Sequence, residues 1–167
     1  MEPVAAFRAA RSAGFTLIEV LVVLAILAIT AAGVTLLTPP GEAALARDEA
    51  RRLAALLETA MREARASGRP IAWSAERERY VFWQRGEDGD WIPYPPHSVY
   101  RPRALAERIE LAGVRVDGRE VGAGERVVFA PQGLRGALGV TVSGAGTRYS
   151  IQGDVIGRVA LERVHAR

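Results

Sequence analysis

The stretch Gly14-Phe15-Thr16-Leu17-Ile18-Glu19-Val20-Leu21 decides this chain: a short leader carrying Arg8 and Arg11 runs without a spacer into an apolar segment broken by one carboxylate. Between positions 15 and 38 the one ionisable side chain is Glu19. At ~1.5 Å rise per residue, positions 16–37 span roughly 33 Å as a helix, enough for a bilayer core of about 30 Å. The segment reads as a membrane anchor rather than a buried helix.

An ordinary secretory signal places its apolar region before the cut, so that peptidase removes it. Here the residues that suit a protease come first. Gly14 has no side chain and fits a narrow subsite, while Arg8 and Arg11 hold the leader on the cytoplasmic side. Cleavage after Gly14 would leave the helix in place, with Phe15 as a new charged N-terminus. A conventional signal with apolar region 20–27, cut in the small-residue run 30–33, would have to carry Glu19 as a passenger. A charge at the bilayer centre costs ~2.5–3.5 kcal/mol on insertion scales, although so near the helix start the carboxylate can still reach headgroups. Glu19 also lies within helical reach of an α-ammonium on Phe15, its own or a neighbour's. In a low dielectric that pairing would favour docking of one subunit's helix against the next.

These residues resemble the class III signal of type IV pilins and of the pseudopilins of type II secretion. The resemblance implies that a prepilin peptidase cuts after Gly14 and N-methylates Phe15, and that Glu19 takes the place of the assembly glutamate.

Composition fits one anchor and one small extracytoplasmic domain. The 167 residues leave room for a single soluble unit. Cysteine is absent, which excludes disulfides, thiolate metal sites and thiol catalysis. The net charge is only +3, because 22 basic residues, none of them lysine, nearly balance 19 acids. Sequence neighbours such as Glu76-Arg77-Glu78-Arg79 mix the two signs, so nucleic acid is not an expected partner.

Pro39-Pro40-Gly41 interrupts the helix. Positions 42–67 return to strong helix formers, with Ala46, Ala50, Leu53, Leu57, Ala60, Met61 and Ala64 on one face and arginines and acids on the other. Gly68-Arg69-Pro70 ends this helix. The remainder reads as strands at 71–74, 79–84, 108–117, 126–129, 138–143, 148–152 and 158–164, with tight turns at Asp88-Gly89, Asp117-Gly118 and Gly144-Ala145-Gly146. The expected organisation is a leader (1–14), a transmembrane helix (15–38), an amphipathic helix (39–67) and a periplasmic β domain (68–167). The fold class is α+β: a long N-terminal helix, half anchor and half amphipathic, packed on an antiparallel β-sandwich-like domain. The connector 86–102 carries no strand signal in this reading.

The second half resembles the general secretion pathway protein H group of minor pseudopilins. Phe129-Ala130-Pro131-Gln132-Gly133, Tyr149-Ser150-Ile151-Gln152-Gly153-Asp154 and Gly157-Arg158-Val159 carry the likeness, with Ser67-Gly68-Arg69-Pro70, Tyr80-Val81-Phe82 and Asp90-Trp91-Ile92-Pro93. A type IV pilus minor pilin of the FimT kind, with surface arginines that bind DNA during uptake, is the competing resemblance. The first implies a structural subunit near the tip of a short pseudopilus in the bacterial inner membrane, with other minor pseudopilins, the major pseudopilin and prepilin peptidase as partners.

No catalytic, metal or cofactor site is expected, and no small-molecule substrate. The chain has no His-Glu-x-x-His or Gly-x-Ser-x-Gly motif and no lysine for a phosphate-binding loop. His97 falls in a proline-rich connector, and His165 falls close to the last residue. Glu87, Asp88 and Asp90 are read as turn residues rather than calcium ligands.

Overall fold

The computed structural model describes residues 17–37 and 41–164, with side chains at 17–29 and 41–164. The chain divides into two compact units, 1–39 and 40–167. Of the first, the described part is one helix, α1 (Leu17–Leu37). The second holds helix α2 (Glu42–Ser67) and ten strands.

α2 occupies the residues that the three- and four-residue spacing predicts. Ala46, Ala50, Leu53, Leu57, Ala60, Met61 and Ala64 are all buried, together with Glu49 and Leu56. It starts after Gly41, whose ψ of 153° is extended rather than helical. It stops at Gly68, which takes the left-handed conformation (φ 66°) that a helix C-terminus favours and that glycine adopts without strain.

The strands form two antiparallel sheets. In the first, β3 (Trp91–Pro93), β2 (Arg79–Arg85), β1 (Ile71–Glu76) and β7 (Arg126–Phe129) lie side by side, and the short β4 (Arg103–Ala104) also pairs with β2. In the second the order is β10 (Val159–Val164), β9 (Thr147–Gly153), β8 (Leu138–Gly144), β5 (Ile109–Val116) and β6 (Arg119–Glu120). A bulge at Ala112 shifts the β5–β8 register. The Asp117-Gly118 and Ala145-Gly146 turns have positive φ at both central residues, the geometry that suits a right-twisted two-residue hairpin.

One apolar core serves both sheets and the helix. Leu53, Leu57, Trp73, Tyr80, Phe82, Phe129, Leu138, Val140, Val142 and Ile151 are essentially inaccessible. α2 packs against strands of both sheets, so the helix, and not one sheet on the other, closes most of this core. Main-chain bonds tie β5 to the β1–β2 turn, Leu111 N–H to Arg77 O, and the β6–β7 loop to β1, Gly124 N–H to Ala75 O, each 2.8 Å.

Three features depart from the expectation. The 86–102 connector contains β3, which extends the first sheet, and a buried Tyr100. β4 and β6 are two-residue strands without a periodic signal of their own. Glu49, which an amphipathic reading places among the solvated acids, is buried and accepts hydrogen bonds from the Tyr80 hydroxyl (3.0 Å) and Arg52 (2.7 Å).

The Tyr80–Glu49 bond has a counterpart at the other end of α2, where the Tyr100 hydroxyl donates to Glu63 at 2.7 Å. Burial, followed by the nearby Glu49 charge, pushes the Tyr80 hydroxyl far above its ordinary 10.0, and burial with the Glu63 bond does the same at Tyr100. Above pH 10 the unfolded chain therefore loses these protons while the folded chain keeps them. The stability they contribute is complete below the ordinary value of 10.0 and is lost as pH rises beyond it. Urea denaturation between about pH 9 and about pH 11 should show falling stability, with a shallower fall in Tyr80→Phe/Tyr100→Phe. An equal slope in the variant would refute this origin.

Candidate assembly sites

Gly14 and Phe15, the expected cleavage and methylation positions, lie outside the described residues, as does His165. Glu19 sits in the first turn of α1, where the helix dipole favours a carboxylate. Its neighbours Leu17, Ile18, Val20, Leu21, Val22 and Val23 are all exposed within the described structure. Over residues 17–29 apolar side chains turn outward on every side of the helix, and such a segment needs apolar surroundings. Its 21 residues span about 31 Å at ~1.5 Å each. Among the residues described with side chains, which in α1 end at Ile29, no helix is long and apolar enough to cross a membrane.

In the second unit, arginines and acids form specific pairs. Arg52–Glu49, Arg62–Glu58, Arg77–Glu110, Arg79–Glu76, Arg108–Glu42 and Arg119–Glu125 are ion pairs. The hydrogen bond from Arg79 holds the Glu76 carboxyl below its ordinary range, and that from Arg77 does the same for Glu110. Pairing of this kind makes a mixed, solvated surface, in agreement with the charge alternation along the sequence. Arg108 holds a left-handed backbone (φ 64°) at the entrance to β5, and its guanidinium ties that strand to Glu42 at the start of α2.

The other end of α2 carries a different device. Arg65, in the last turn, donates to the carbonyls of Val155 (2.9 Å) and Ile156 in the β9–β10 turn. Asp154 caps the same turn by accepting from the Arg158 N–H at 2.8 Å. Gly133 approaches it from the β7–β8 loop, where an added Cβ would stand 2.7 Å from the Val155 carbonyl oxygen. Val155 and Ile156 are thereby held with their side chains exposed. In the sequence Gly133 and Gly157 stand out only within the stretches that carry the family likeness, and nothing there marks Arg65 among the other arginines.

His97 is exposed beside the turn that the Ser98 N–H closes on Pro95 O. Glu87, Asp88 and Asp90 lie in the β2–β3 hairpin, with Gly89 at φ 81°. Among the described residues, no three histidines or acids gather at metal-binding distance.

The profile of the Type II transport protein GspH family matches residues 49–157, most of the second unit and more than half of the chain. The chain belongs to this family, the minor pseudopilins of type II secretion. A second profile, the prokaryotic N-terminal methylation motif, matches residues 9–35 and with the family marks a membrane-anchored protein. No curated protein matches the chain. Among solved structures, the Vibrio cholerae minor pseudopilin EpsH is similar at TM-score 0.59 and 14% identity, over 74% of this chain and 97% of that one. The solution structure of Escherichia coli GspH is similar at TM-score 0.52 and 19% identity, over 74% and 89%. At such identities these neighbours speak for the fold.

Arg65→Ala should leave circular dichroism unchanged while amide exchange at residues 155–157 accelerates about tenfold or more, because the turn loses its two side-chain anchors. Unaltered exchange would show that Asp154 and the hairpin alone order it.

Proposed function

We propose that this GspH-family protein is made as a precursor, cut after Gly14, and N-methylated on Phe15. In this reading residues 15–38 cross the inner membrane once, 39–67 lead into the periplasm, and 68–167 complete the periplasmic domain on α2. The protein is then a non-enzymatic subunit near the tip of a short pseudopilus. It bridges the other minor pseudopilins to the major pseudopilin below and supports export across the outer membrane. The observation that carries the reading is the coincidence of a methylation motif over 9–35 and a GspH profile over 49–157 in one chain. An apolar helix whose one carboxylate falls in its first turn supports it.

Two experiments test the parts separately. Intact mass or N-terminal sequencing of membrane-extracted protein should give a chain that begins with methylated Phe15. A start near Gly33 would mean a conventional signal peptide.

Glu19→Ala should be processed and inserted normally yet cross-link poorly to the major pseudopilin and lower export of a reporter substrate. The substitution removes an intramembrane charge, so insertion becomes no harder. What it removes is a partner for the Phe15 ammonium when two helices meet in low dielectric. Wild-type cross-linking and export would leave Glu19 without an assembly role.

A further inference from the structure

The first sheet has a second face, turned away from α2. Trp73, opposite both Phe82 and Val127, points into the core. Alternation along the strands therefore puts Ser74, Trp83, Arg85, Trp91, Arg126 and Val128 together on the other side. The protein has three tryptophans, and the two outside the core both lie here.

Each of the two indoles is stacked by a guanidinium. Arg126 lies 4.2 Å from the Trp83 ring centroid, and Arg85 lies 4.3 Å from that of Trp91. The Trp83 indole reaches across β1, where its N–H donates to the Ser74 hydroxyl at 2.9 Å, so the ring is fixed by an anchor as well as by the stack. Arg85 also donates to the Gly89 carbonyl within its hairpin. Neither arginine forms an ion pair among the described residues, whereas Arg79 on the same face is matched by Glu76. The face thus carries two stacked guanidiniums outside the ion pairs, with the acids Glu87, Asp88 and Asp90 in the hairpin at its edge, and is partly apolar through Val128 (42% exposed).

The geometry points to this face as a docking surface for an acidic protein partner, one whose carboxylates meet Arg85 and Arg126 while apolar side chains cover Val128 and the indole edges. Tryptophan and arginine are the residues that concentrate binding energy at protein interfaces. Stacking leaves a guanidinium's N–H edges open to a carboxylate, and at Arg85 the bond to Gly89 engages Nη1 alone. Register fixes the spacing. Arg126 sits opposite Ser74, which sits opposite Val81, four residues before Arg85. At about 4.8 Å between strands and about 3.3 Å per residue, the two arginines stand roughly 16 Å apart along the sheet, a separation that two charged patches on one protein surface can span. Single-stranded nucleic acid fits less well, because bases bind such platforms by stacking on open aromatic faces and here the guanidiniums occupy that place. The inference rests on this sheet face and not on membership of a pseudopilus, so either can fail without the other.

The test uses the full chain in zwitterionic detergent, titrated with a soluble peptide of alternating glutamate and valine, with its glutamine counterpart and with an oligothymidylate as the other arms. Tryptophan emission reports on Trp83 and Trp91 at the site against the buried Trp73. Saturable binding of the glutamate peptide that changes emission and weakens with salt is expected, with the glutamine peptide and the oligonucleotide binding at least about tenfold more weakly. Arg85→Glu/Arg126→Glu, and the milder Arg85→Gln/Arg126→Gln, should each lose about tenfold or more. Arg47→Glu/Arg51→Glu, the same charge change on the exposed side of α2, should lose about twofold or less. Equal losses in the α2 control, equal binding of the oligonucleotide, or no emission change would each overturn the proposal.

Discussion

The second unit depends on one contact surface, the stripe of α2 that both sheets share. Its residues alternate in size: alanines at 46, 50, 60 and 64 flank Leu53, Leu57 and Met61. The alanines let strands approach closely, as at Gly144, where an added Cβ would stand 3.0 Å from that of Ala46. The larger residues fill the space between the sheets. Truncating a leucine at the centre of such a stripe opens a cavity that two sheets and a helix would all have to close, the case in which relaxation helps least.

Around that stripe the polar contacts are arranged to fix what apolar packing leaves loose. Glu49 and Glu63 accept phenolic hydrogen bonds from Tyr80 and Tyr100, and Tyr94, Tyr100 and Phe82 stack in sequence with ring centroids 5.0 and 5.2 Å apart. The proline-rich connector is thereby held to the helix although it has little secondary structure. A polar residue buried in this way narrows the number of arrangements the core can adopt, because only one of them satisfies the carboxylate.

The parts legible in the sequence were those with a period. α2 and its buried face followed from three- and four-residue spacing. Seven strands followed from short apolar runs between turn signals, with clean alternation in those at 126–129, 138–143, 148–152 and 158–164, and the turns at Asp117-Gly118 and Ala145-Gly146 from residues that tolerate positive φ. β3, β4 and β6 are too short to show a period and exist because a neighbouring strand offers a ladder. Glu49 is an acid on a helix with many acids, and its burial depends on Arg52 one turn on and on a tyrosine brought from 31 positions away. Arg65 is likewise one arginine among many. Of the candidate assembly residues, the Gly14-Phe15 junction and Glu19 rest on local chemistry together with the family resemblance, and Gly14 and Phe15 lie outside the described residues. The arginine–tryptophan face was invisible because it is made by strands β2, β3 and β7 meeting through β1.

The link between Arg65 and Ile156 bridges 91 positions, and most of the cover over the α2 stripe comes from β8, β9 and β10 at the end of the chain. During synthesis the helix is therefore complete long before the strands that shield it. A long apolar stripe stays uncovered until residues 138–164 have emerged, and the nucleus that closes it must gather segments far apart in sequence. Such a chain meets much of its loop-closure entropy late. Its interval of greatest exposure to aggregation and proteolysis falls just before the final hairpin closes.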